Sequence, residues 1–87
     1  MNVQSNQSLK SLAGSRRAVA IPLHDVNALA EVPRRIYVGT GGTIVMRGVD
    51  DQADTTWVGV PAGTVLPFRP AFIRATGTTA ANILGLY

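Results

Sequence analysis

The chain has 87 residues, with 8 Lys or Arg against 5 Asp or Glu, one His and no Cys, for a formal charge of +3. A chain of that length makes one domain, and its core is marginal because it hides only about 60–65% of the surface exposed on unfolding; disulfides and cysteine zinc sites are excluded. Hydrophobic residues are 46% of the chain and charged residues 15%, below the roughly 25% charge usual in soluble domains, so the expectation is a small-residue β-domain or one partly covered by other chains.

The arginines are scattered or paired, with no run of five like charges and no basic stripe interleaved with aromatics, so nucleic acid is not an expected partner. No apolar run reaches the ~18 residues of a membrane-spanning helix. The first residues, MNVQSNQS, lack the basic and apolar regions of a signal peptide.

Residues 1–15 are small and polar, with only Val3, Leu9 and Leu12 as anchors. They are expected to form an arm, flexible or docked on a neighbour, ahead of a single β-domain over 16–87. Residues 16–21 (RRAVAI) read as the first strand, stopped by Pro22, with Arg16 and Arg17 as its solvated start or, as the alternative, a dock for a carboxylate or phosphate. His24 and Asp25 are the only adjacent imidazole and carboxylate. Neighbouring side chains of an extended segment point to opposite faces, so they do not make a base and its orienter. Asp25 is expected to accept backbone N–H groups, in an Asx-turn or as the cap of one helical turn over 26–30.

Residues 34–39 (RRIYVG) predict a strand, and so do residues 43–47 (TIVMR); the glycine-rich link between them predicts a hairpin. A phosphate cradle would need a helix start after the glycines, and a β-branched run follows instead. The acidic stretch 48–54 (GVDDQAD) lacks the Gly and Glu positions of a calcium loop. It is expected to be a solvated hairpin tip, with an acid-to-arginine contact to a neighbouring subunit as the alternative.

Residues 55–60 (TTWVGV) are dense in β-branched and aromatic residues, Pro61-Ala62-Gly63 marks a tight turn, and Thr64 to Leu66 re-enter as a strand, so a second hairpin is expected. Leu66 and Phe68 then share one side, and Val65, Pro67 and Arg69 the other. Pro67 has no N–H for a ladder, which predicts a bend or a sheet edge there. A strand over 70–76, a small-residue turn over 77–81 and a last strand over 82–87 complete the chain, the final strand tying down the end. Trp57 and Tyr87 are candidates for a sugar platform, weighed against core or interface roles.

About seven short strands with turns at roughly ten-residue spacing predict an all-β fold, a small antiparallel sandwich or barrel of jelly-roll type. Residues 44–46 (IVM) and 83–84 (IL) are apolar on both faces, so one face suits the core and the other calls for cover by further subunits. No catalytic set, cofactor site or metal site is expected.

Three stretches carry a resemblance: PRRIYVG at 33–39, GVPAGTVLPFR at 59–69, and ATGTTA at 75–80 with the closing Leu86-Tyr87. From about Arg17 to Tyr87 the chain resembles the small spike-base family of gene transfer agents and related tailed phages. Residues 23–27 (LHDVN) depart from the small polar run usual in that family's first loop, which leaves the loop's partner open.

The resemblance implies a virion structural protein on the capsid exterior, assembled in the host cytoplasm. It would form a homo-oligomeric ring, of five copies or alternatively three, that links the major capsid protein to a host-contacting spike fibre. Arg34, Arg35 and Arg69 are then the interface arginines, because guanidinium tolerates partial desolvation; Tyr37, Trp57, Phe72 and Tyr87 are the interface aromatics. A capsid decoration (cement) protein is the structural alternative. A carbohydrate-binding module and a single-strand nucleic-acid binder of barrel type come from other classes.

Overall fold

The computed structural model describes residues 14–87. Residues 1–13, most of the predicted arm, lie outside the described residues. Seven strands follow in order: β1 Ala18–Ala20, β2 Arg35–Thr40, β3 Gly42–Gly48, β4 Thr55–Val60, β5 Thr64–Leu66, β6 Pro70–Ile73 and β7 Ala81–Leu86. They form a four-stranded sheet, β1-β7-β2-β5, and a three-stranded sheet, β4-β3-β6, with every pairing antiparallel. The all-β two-sheet fold agrees with the seven-strand pattern.

Alternation along the strands builds the core. Ile36 and Val38 of β2, Ile44 and Met46 of β3, and Ile73 of β6 are fully buried, and Ile21, Val60, Ala80 and Ile83 join them. Each large aliphatic side chain contributes about 1.5–3 kcal/mol when fully removed from water. Leu66 and Phe68 pack on this cluster, while Val65, Pro67 and Arg69 stay exposed. β5 is an edge strand that ends just before Pro67.

Two expected hairpins are corrected. β2 and β3 belong to different sheets. Only Gly41 separates them, fewer than the two residues of the tightest common hairpin loop. The glycine-rich run is a corner at which the chain crosses between sheets. A Cβ at Gly41 would lie 2.7 Å from the Val60 carbonyl oxygen, and one at Gly42 would lie 2.6 Å from Thr79 Oγ1. These glycines therefore permit backbone approach from the neighbouring segments.

The turn at residues 61–63 also crosses: β4 pairs with β3, whereas β5 pairs with β2. Gly63 has φ 78° and donates its N–H to the Val38 carbonyl at 2.7 Å. The acidic link between β3 and β4, in contrast, is a true hairpin tip.

The expected helical turn over 26–30 does not form. The segment runs along the free edge of β6 instead, with His24 N–H bonded to the Ile73 carbonyl at 3.0 Å and Leu29 N–H to the Ala71 carbonyl at 2.8 Å. His24 Nδ1, rather than Asp25, accepts the local N–H groups of Val26 and Asn27, at 3.1 and 3.0 Å. The three-stranded sheet thus has one edge strand covered by the chain's own loop.

Candidate assembly interface

Residues directly opposite one another in paired strands share a face. Ile36 and Val38 point into the core, so Arg35 and Tyr37 point outward from the four-stranded sheet. Leu84 lies opposite Tyr37 and Ala20, Leu86 opposite Arg35 and Ala18, and Val65 opposite Tyr37. The outer face is consequently a band of Ala18, Ala20, Leu84, Leu86, Tyr37 and Val65, with Arg35 at one end. Val65 is 46% exposed, and Tyr37, Leu84 and Leu86 are half-buried.

The three-stranded sheet treats its outer face differently. The segment after β6 continues along the edge of β3: Arg74 N–H donates to the Val45 carbonyl at 2.9 Å, and Thr78 Oγ1 accepts the Val45 N–H at 3.0 Å. Phe72 lies opposite Arg47 on this face. The guanidinium groups of Arg74 and Arg47 sit 4.3 and 5.3 Å from its ring centre. Asp54 joins the two arginines, at 3.0 Å from Arg74 Nε and 3.2 Å from Arg47 Nε. Its hydrogen bonds from Arg74 hold its carboxyl below the usual aspartate range. One acid of the 48–54 stretch therefore meets arginines of its own chain.

Asp25 works in a similar way. It accepts the N–H groups of Ala75 and Thr76 at 3.0 and 2.7 Å and the Thr76 hydroxyl at 2.7 Å. The Thr76 backbone N–H is the main reason its carboxyl is held below the usual range. The acid clamps two loops about fifty residues apart, a long-range version of the N–H acceptance its type suggested. His24 is turned to its own loop, so the adjacent pair does not form a base and orienter.

Where the ends of β2 and β7 meet the segment after β5, a cleft of about 880 Å³ opens, lined among others by Arg16, Arg17, Glu31, Arg34, Arg69 and Tyr87. Arg17 pairs with Glu31 at 2.7 Å and lies 4.4 Å above the Tyr87 ring. The hydrogen bond to Glu31 raises the Arg17 pKa above its ordinary value. The Tyr87 hydroxyl donates to the Glu31 carbonyl at 3.2 Å.

The predicted interface residues thus fall in four places. Arg34, Arg69 and Tyr87 share the cleft, and Arg35 and Tyr37 lie on the adjoining outer face. Phe72 sits on the other sheet between its two arginines. Trp57 shares the inward side of Ile44 and packs on Phe68 with ring centres 5.0 Å apart. Neither Trp57 nor Tyr87 presents an uncovered ring, the first being against the core and the second beneath Arg17.

The sequence did not place Leu84, Leu86 or Glu31 at a site, and it placed Arg16 first as a solvated strand start and only second as a dock for a carboxylate or phosphate. Leu84 was legible as part of a two-faced apolar strand. Nothing in the sequence links Arg69 to Arg34 or Arg16, because β-sheet neighbours are chosen in three dimensions. Among the described residues no three His, Cys, Asp or Glu side chains come together to hold a metal ion.

The described residues thus form a two-sheet all-β domain with a half-exposed apolar face and an arginine-lined cleft. No protein-family profile and no curated relative matches the chain. A solved structure does: a chain of the "Capsid of native GTA particle computed with C5 symmetry" is 36% identical with a TM-score of 0.80, and the likeness covers 100% of both chains. This chain belongs to the family of that gene transfer agent capsid chain and is a capsid-associated virion structural protein.

Proposed function

We propose that the protein is the oligomeric base of a head spike on the capsid exterior, a ring that joins the major capsid protein to a host-contacting fibre. The observation that carries this reading is the full-length likeness to a chain of a gene transfer agent capsid computed with C5 symmetry. The apolar outer face of the four-stranded sheet supports it. Tyr37, Leu84, Leu86 and Val65 form a contiguous band of the kind that subunit contacts bury. The expected copy number is five, matching the symmetry of the related particle.

Two measurements test the reading. Light scattering on the purified full chain is expected to give a pentamer. Imaging of particles made with and without the chain is expected to show fibres lost from discrete positions while the shell stays closed. A chain distributed over the whole shell, whose removal weakens the shell without removing fibres, would point to a cement protein and overturn the spike-base reading.

A further inference from the structure

The charges of this chain are unevenly matched. Of its five acids, Asp25 is engaged by residues 75–76, Glu31 by Arg17, and Asp54 by Arg47 and Arg74. That leaves Asp50 and Asp51, both exposed at the β3–β4 tip; Asp51 accepts the Gly48 N–H at 3.0 Å and, among the described residues, forms no ion pair. On the basic side, Arg16, Arg34 and Arg69 are exposed, line one cleft and form no ion pair among the described residues. Residues 1–13 contain no Asp or Glu, so that segment has no carboxylate side chain to offer them.

We propose that the cleft of Arg16, Arg34 and Arg69 receives the Asp50–Asp51 tip of a second copy of this chain. The inference rests on the ring reading above and names the contact that closes the ring. Guanidinium groups brought together in one cleft repel one another, and their planar forks suit paired carboxylates.

The topology places the two surfaces suitably. β2 starts, and β7, β5 and β3 end, at the same end of the sandwich. The Val49 N–H donates to the Arg69 carbonyl at 3.1 Å, so the root of the tip is at that end too. The cleft is lined by Arg16, Arg34 and Tyr87 beside the ends of β2 and β7 in the four-stranded sheet, and the tip joins β3 to β4 of the three-stranded sheet. Rotation about an axis running along the strands keeps these ends level and carries the tip of one copy to the cleft of the next. Such a contact is heterologous, and it closes into a ring where the rotation between copies divides a full turn.

The test uses the full chain, sedimentation velocity in 0.15 M and 1 M NaCl, and circular dichroism melting as the check on folding. The paired substitution Asp50→Lys with Asp51→Lys is expected to weaken self-association on the order of a hundredfold, as like charges come to face one another. Arg34→Glu with Arg69→Glu is expected to do the same. All four changes in one chain are expected to restore the oligomer in large part, because two of the three cleft positions again face opposite charge. High salt is expected to weaken the wild-type ring.

A ring that persists in the folded Asp50→Lys, Asp51→Lys variant overturns this contact and leaves the spike-base reading standing. So does a folded fourfold variant that stays monomeric. Where a charge reversal fails to fold, Asp50→Asn with Asp51→Asn takes its place; a partial loss of association supports the contact, and no loss overturns it. A wild-type chain that stays monomeric overturns both the contact and the ring.

Discussion

Asp25 and Asp54 show how single side chains hold this domain together where strand pairing does not reach. Each takes its hydrogen bonds in the ionised form, and those bonds hold each carboxyl below the ordinary aspartate range. The folded state therefore favours the deprotonated carboxylates. Their stabilisation is complete above the unfolded value of about 3.9 and is lost as pH falls through the lower folded values. The melting temperature is expected to drop on acidification below about pH 4, and Asp25→Asn is expected to flatten that drop while lowering the melting temperature at pH 7. A pH series of thermal melts on both proteins checks this. In the core, Ile44→Ala is expected to cost about 2–5 kcal/mol by leaving a cavity between the sheets, measured by urea unfolding. That one face of residues 44–46 enters the core was legible in the sequence, though not which face, since Ile44, Val45 and Met46 are all apolar. The partners of Asp25 were not, because they lie about fifty residues away.

At the scale of elements, the strands are readable and their partners are not. A β-branched run between glycines or prolines announces a strand whichever sheet it joins. The chain's shortest links are Gly41 and residues 61–63 and 67–69; the first two look like hairpin turns, and all three instead pass from one sheet to the other. The glycines at these links have different duties. Gly41→Val would press its Cβ against the Val60 carbonyl and the Ala62 N–H, and it is expected to destabilise by about 1–3 kcal/mol as an overpacked corner does. Gly63→Ala meets no atom within 4 Å but must hold φ near 78°, at about 1–2 kcal/mol. Chemical denaturation of the two variants reads these costs.

On the scale of the whole molecule, the decisive contrast lies between the two outer faces. The three-stranded sheet carries Phe72 against Arg47 and Arg74, which Asp54 joins into one network. The four-stranded sheet presents leucines, alanines and Tyr37. Leu84→Lys is expected to cost the folded chain only about 0.2–1 kcal/mol, the scale of one cross-strand pair, and yet to abolish assembly. Light scattering beside a thermal melt separates those two effects. The residues resembling the spike-base family led to the capsid setting before any coordinates did. They did not identify the arginine cleft, which draws on residues 16, 34 and 69.

Composition and periodicity by themselves determined that this is a small all-β domain without cysteine chemistry, with more apolar strand surface than one core needs. They could do so because alternation, turn residues and residue counts are local properties. Which strands share a sheet, which apolar face stays half-exposed and which charges are left unmatched were decided only by the tertiary structure. Those outcomes depend on contacts between residues far apart in the chain, and local preferences do not encode the choice among them.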